Sequence, residues 1–121
     1  MTRQESILAL GKEICRAAEG EEALLGLLCT AAEGAWTGRL RPGVRPEDCE
    51  ENFRCACAFT AAAGILRSRG GGLSFTAGSV SVRAGGAGET EGAARALEAQ
   101  AEALMVPWCG EADFAFQGVR G

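Results

Sequence analysis

Residues Phe53–Leu66 read FRCACAFTAAAGIL, and this stretch decides the fold. Between Arg54 and Arg67 no residue is charged, and most are small or apolar. Pro46 suits a first helical turn. Glu47, Asp48, Glu50 and Glu51 place acid at the positive N-terminal end, and Arg67 and Arg69 place base at the other. Gly70 supplies a stop. Apolar side chains fall on at least two faces, Phe53/Cys57/Ala61/Ile65 and Cys55/Phe59/Ala62/Leu66. A helix apolar nearly all round is covered by neighbours or by other subunits. This one is shorter than the roughly 20 residues needed to cross a bilayer. It is the expected central core helix.

Working outward toward the N-terminus, Thr2-Arg3-Gln4-Glu5 has capping-box spacing, in which hydroxyl and carboxylate satisfy free backbone donors reciprocally. A first helix is expected from there to about Glu19, with Ile7, Leu10, Ile14, Ala17 and Ala18 as its apolar stripe and Gly20 as its end. The second helix is expected from about Glu21 to Leu40. Two rows give it a broad apolar face: Leu24, Leu28, Ala31, Ala35 and Leu25, Ala32, Trp36. Arg39 and Arg41 suit its end, and Pro42 prevents continuation. The short link at Gly20 implies that the first two helices form an antiparallel hairpin. Arg41–Pro46 is a turn-rich connection into the central helix.

Beyond Gly70-Gly71-Gly72, Leu73 and Phe75 alternate with polar residues, as do Val80 and Val82. Ala77-Gly78 between them gives a small β-hairpin, or else the segment is one extended, bent strand. Either is marginal alone and must lie on the helices or pair with another subunit. Ala84–Gly88 has the glycine content of a phosphate loop but lacks the third glycine and any Gly-Lys-Ser/Thr, and reads as a linker. A fourth helix follows from about Thr90 to Met105, burying Ala94, Leu97, Ala101, Leu104 and Met105, and Pro107 ends it. The fold expectation is mainly α: four helices, with a β-hairpin or extended β segment between helices three and four. Residues 1–107 form one domain, with the β segment at 73–83, and residues 108–121 form a tail. That tail is unusually apolar for a terminus, carrying Trp108, Phe114, Phe116 and Val119. It either folds back as an edge strand or docks on a partner.

At 121 residues the chain suits one core. With 18 Gly, five Phe and two Trp, side-chain bulk is modest, so the expectation is a monomer of limited stability that gains by assembling. The net charge of −4 and the lack of a basic stripe demote sequence-specific DNA binding. No apolar signal run or membrane-length segment appears, and synthesis in the cytosol is the expectation. Cys15, Cys29, Cys49, Cys55, Cys57 and Cys109 include no CxxC pair, and the chain has no histidine. Cys55 and Cys57 lie about 200° apart around a helix axis and do not suit one metal. Buried reduced thiols acting as small hydrophobes are the expectation, with no metal and no cofactor. Without histidine, and with no base beside any serine or cysteine, an enzyme is not expected. The acid run Glu47, Asp48, Glu50, Glu51 is accounted for by the helix dipole and solvent.

Taken in order, these elements resemble the head–tail connector (adaptor) proteins of long-tailed bacteriophages and prophages. The likeness is carried by Leu73–Arg83 (LSFTAGSVSVR), by Ala93–Trp108 with its AEALMVPW end, and more loosely by Leu28–Pro46. The resemblance implies a non-enzymatic structural role. Such proteins form a ring, commonly of twelve copies, beneath the portal of the capsid, extend the DNA channel and receive the next head-completion or tail protein. The implied location is the head–tail junction of the virion, with the host bacterial cytoplasm during assembly. Carried onto this chain, Leu73, Phe75, Val80 and Val82 are candidates for contact between subunits. Phe114, Phe116 and Val119 are candidates for contact with portal or neighbour. Apolar residues in segments that cannot bury themselves suit a heterologous, closing interface. An acidic subunit suits passage of DNA without tight attachment. The alternatives are a small helical DNA-binding regulator, a cysteine-dependent redox or metal module, and another head- or tail-completion protein.

Overall fold

A computed structural model describes residues 1–72 and 80–110, with the side chains of 1–70 and 90–110. Four helices alternate in direction: α1 (Arg3–Cys15), α2 (Glu22–Arg39), α3 (Glu50–Arg67) and α4 (Val80–Met105). Antiparallel packing of α1 on α2 follows from Lys12 reaching Glu22 and Gly11 meeting Leu25. Trp36 bonds Thr60 between α2 and α3, and Asn52 bonds the Leu104 carbonyl between α3 and α4. α3 touches all three other helices.

The hydrophobic effect explains the central place of α3. Phe53, Ala56, Cys57, Ala58, Ala61, Ala62, Ala63 and Ile65 are all buried, which wraps the apolar surface nearly round the axis. Each outer helix presents one row to it. α1 presents Ile7, Gly11 and Cys15; α2 presents Leu25, Cys29, Ala32 and Trp36; α4 presents Ala94, Ala101 and Met105. The small residues allow close approach. A Cβ on Gly64 would stand 2.8 Å from Leu28 Cδ1 on α2.

The capping box at Thr2 forms as expected: Thr2 Oγ1 accepts from Glu5 N, and Glu5 Oε1 accepts from Thr2 N. α1 stops at Cys15, earlier than the expected Glu19, because Arg16 turns left-handed at φ 50°. Ala17 N then donates to the Lys12 carbonyl, the bond pattern of a Schellman end. Glycine normally holds such a position. Here the guanidinium of Arg69 caps the same end, donating to the carbonyls of Cys15 and Arg16. Between α2 and α3, Val44 N donates to the Arg41 carbonyl across Pro42-Gly43, with Gly43 at φ 89°, as a type II turn requires. Pro46–Cys49 is a 3₁₀ turn that feeds α3.

Two expectations for the third connection are corrected. No β-hairpin or strand occurs among the described residues: Val80 and Val82, expected in a β segment, lie in the first turn of α4. Ala84–Gly88, expected as a linker, also lies inside that helix. A Val-Ser-Val alternation of three residues is too short to distinguish a strand from a helical turn. Once the Thr90–Met105 stretch is helical, residues before it extend an existing helix without a new nucleation cost, although each glycine there still costs roughly 1 kcal/mol relative to alanine. Leu73 and Phe75 lie outside the described residues. After α3 the chain continues in a π-helical turn, Ser68–Gly72, where a stop at Gly70 was expected.

Candidate assembly surface

Arginine–carboxylate clamps tie α1 to α3, α3 to α4 and α2 to α4. At one end of the bundle Arg3 grips Glu50 in two-pronged fashion at 2.7 and 2.8 Å, and Arg54 adds a bond at 2.9 Å. At the other end Arg69 holds Glu21 at 2.6 and 2.8 Å. Arg67, at the end of α3, spans Glu91 and Glu98 on α4, and Arg39 joins α2 to Glu102 with two bonds of 2.8 Å. These hydrogen bonds hold the Glu21 and Glu50 carboxyls down at about 2. The expected acid cluster at the start of α3 therefore has a more specific use than the dipole, since Glu50 is tied to α1. Arg3, Arg39, Arg54, Arg67, Arg69 and Arg95 each engage a carboxylate, so much of the positive charge is internally neutralised.

What the clamps leave uncovered is the outer face of α2. From Ala23 to Gly38 the only charged residue is Glu33. Of the two apolar rows expected to be buried, only Leu25/Ala32/Trp36 enters the core. Leu28 packs against that core in part, while Leu24 is 39% exposed and Ala31 and Ala35 face solvent. Leu27, in neither row, is 70% exposed. Gly34 and Gly38 meet nothing on this side. A helix that buries one narrow row normally carries charge on the rest. Here it does not.

A second open feature lies where α2 ends. Leu40 is extended and forms an antiparallel bridge with Cys109. Arg41 N donates to the Trp108 carbonyl at 3.0 Å, and Gly110 N donates to the Arg39 carbonyl at 3.1 Å. Beside this bridge is a cleft of about 220 Å³, lined by Trp36, Arg39, Glu102, Met105, Val106, Cys109 and Gly110. Its walls are a buried Met105, a Val106 that is 68% exposed, and Trp36, over whose ring Arg39 sits at 4.4 Å. Small-molecule sites take roughly 300–1,000 Å³. This one has room for a single large side chain.

Of the residues singled out from the sequence, Val80 and Val82 sit together in the first turn of α4, while Leu73, Phe75, Phe114, Phe116 and Val119 lie outside the described residues. Leu27 was missed. Its signal was present in the near absence of charge along α2, which was read as breadth of core contact.

Cys15, Cys29, Cys49 and Cys57 are buried, and Cys55 and Cys109 half-buried; all six are free thiols. Burial pushes Cys29 up to about 11 and Cys57 up to about 12. These thiols therefore pack as small apolar groups. Among the described residues no group of histidine, cysteine, aspartate and glutamate is placed to hold a metal ion, and no helix is long and apolar enough to cross a membrane. The chain matches no family model, no curated protein and no solved structure.

Proposed function

We propose that this chain is a non-enzymatic structural subunit of a bacteriophage or prophage. Copies close into an adaptor ring that joins the capsid portal to the next head-completion or tail component and continues the DNA channel. The observation that carries the reading is the outer face of α2: an uncharged helical surface with Leu24 and Leu27 exposed, on a bundle tied together by ion pairs elsewhere. Isolated exposed leucines are ordinary, but an unbroken uncharged face on one helix suits a contact between copies. A closed ring would cover that face on every subunit through a heterologous interface.

Three further points support the reading. The hairpin of α1 and α2, the small-residue helix α3 and the closing helix α4 fit the helical part of the arrangement that the adaptor resemblance implies; the β segment it implies before the last helix is not found among the described residues. Among the described residues the pairing of six of nine arginines with carboxylates suits a channel through which DNA slides. It disfavours a DNA-binding regulator, which needs arginines free to reach phosphates and base edges. The apolar residues Phe114, Phe116 and Val119 are the proposed contacts with portal or neighbour, and the assembled ring resides at the head–tail junction of the virion.

The test is imaging of the chain mixed with its cognate portal. A co-axial ring of density on the portal is expected. Portal rings that stay bare at a saturating excess of the folded chain would overturn the proposal.

A further inference from the structure

We infer that the exposed Leu27 of one copy seats in the cleft between Trp36, Met105 and Val106 of the next. The inference rests on the reading of the α2 face as a contact between copies, and names what that face meets. A closing, heterologous interface needs two different patches on each subunit, one offered and one receiving. The α2 face is the first. Leu27 is exposed there beside Ala23, Leu24 and Ala31, with no charge among them. The cleft is the second, with room for a single large side chain and an exposed Val106 at its wall. Trp36 follows Leu27 by nine residues, about two and a half turns, so the two point to opposite sides of α2. A subunit's own Leu27 therefore cannot fill its cleft, whereas a neighbour's can.

Charge selects a second copy as the occupant and orients it. Glu19 and Glu22 are exposed at the N-terminal end of α2, and Arg41 and Arg45 are exposed in the loop beyond its C-terminal end. Neither arginine belongs to an ion pair among the described residues. Arg41 borders the cleft: a Cβ on Gly110, in the cleft wall, would stand 3.6 Å from Arg41 Cγ. Leu27 lies five residues after Glu22, about 7.5 Å along the helix axis. Seating Leu27 in the cleft brings the acidic start of its helix beside the basic loop of the receiving copy. The contact then has an apolar centre and complementary charge at its rim. Glu22 already holds Lys12 at 3.2 Å, which leaves Glu19 as the better partner for Arg41. Within the cleft Arg39 and Glu102 hold each other, so the entering leucine does not strand a charge.

Disulfide trapping between full-length chains tests the contact. A Leu27→Cys chain and a Val106→Cys chain are mixed, free at high concentration and on the portal, and oxidised with copper phenanthroline. Linked peptides are then identified by mass spectrometry. Expected is a link between positions 27 and 106, or between 27 and Cys109 of the same cleft, formed several-fold faster than in a control mixture of Glu13→Cys with Val106→Cys, Glu13 being exposed on α1. Adding Arg41→Glu to the Val106→Cys chain should lower the yield several-fold, and Glu19→Arg in the Leu27→Cys chain should restore it. Dominant linking of position 27 to itself would overturn the inference, because α2 would then meet its own copy. So would a link to the cleft no faster than the control in both settings. Rings on the portal without this link would remove the contact and leave the adaptor reading standing; the link formed in solution while portals stay bare would do the reverse.

Discussion

α2 and α3 are both eighteen-residue helices that begin with glutamate and end with arginine, and they pack on each other, yet they differ in how far they are buried. α3 carries eight buried residues spread round its axis, whereas α2 carries four in a single row. Between Arg54 and Arg67 on α3 no residue is charged, and from Ala23 to Gly38 on α2 only Glu33 is. On α3 the absence of charge is answered by three neighbouring helices; on α2 the neighbours answer only one side. An uncharged helix face thus has two meanings, core or contact surface, and only the packing distinguishes them.

The largest effect expected from breaking this contrast is at Phe53, fully buried in α3 with Arg3 stacked over its ring at 5.6 Å. Phe53→Ala should cost about 3–5 kcal/mol in urea unfolding. Leu27→Ala on the open face of α2 should change stability by less than about 0.5 kcal/mol. Similar losses for the two would show that α2 is covered within the subunit itself.

The clamp between α1 and α3 comes next. Glu50→Gln removes the charged partner of both Arg3 and Arg54 and should cost about 1 kcal/mol, a figure reduced for the partial exposure of all three groups. The same pairs set the pH response. Glu21 and Glu50 titrate lower in the folded chain than unfolded, so their contribution is present above about 4.5 and is lost as pH falls toward about 2. Cys29 and Cys57 titrate higher when folded, so theirs is present below about 9 and is lost as pH rises toward about 12. Urea midpoints measured across pH should fall on both flanks, and Glu50→Gln should flatten the acid flank. An unchanged acid flank would mean that the clamp contributes nothing.

The smallest effect sharpens the comparison most. Gly34 and Gly38 meet no atom on the open face of α2, so Gly34→Ala and Gly38→Ala should each stabilise the monomer by about 0.5–1 kcal/mol. Gly64→Ala in α3 should yield less, because its Cβ would press on Leu28 Cδ1 at 2.8 Å and offset the helical gain. Thermal melts of the three variants provide the check; an equal gain at Gly64 would indicate that Leu28 moves aside freely.

Much of the bundle was legible from the sequence. The capping box at Thr2–Glu5 and the two-faced apolar pattern of Phe53–Leu66 are local signals that appear in the structure, and of the expected row Ala94/Leu97/Ala101/Leu104/Met105, Ala94, Ala101 and Met105 are buried while Leu97 and Leu104 are half-buried. The start of α4 was not legible, because a three-residue alternation and scattered glycines carry no information about a helix arriving from downstream. The left-handed Arg16 was also hidden, since what allows it is Arg69, fifty-three residues away, capping the same carbonyls. The open face of α2 was visible as missing charge, but assigning it to surface required knowing that α1, α3 and α4 cover only the Leu25/Trp36 row.

Formation of the portal-bound ring by a Leu27→Asp chain tests the central claim most directly. The substitution lies on exposed surface, so the chain should melt with the wild type and keep its helical content, yet fail to co-sediment as a ring with the portal. A charged Leu27 that leaves ring formation on the portal unchanged in yield would contradict the account.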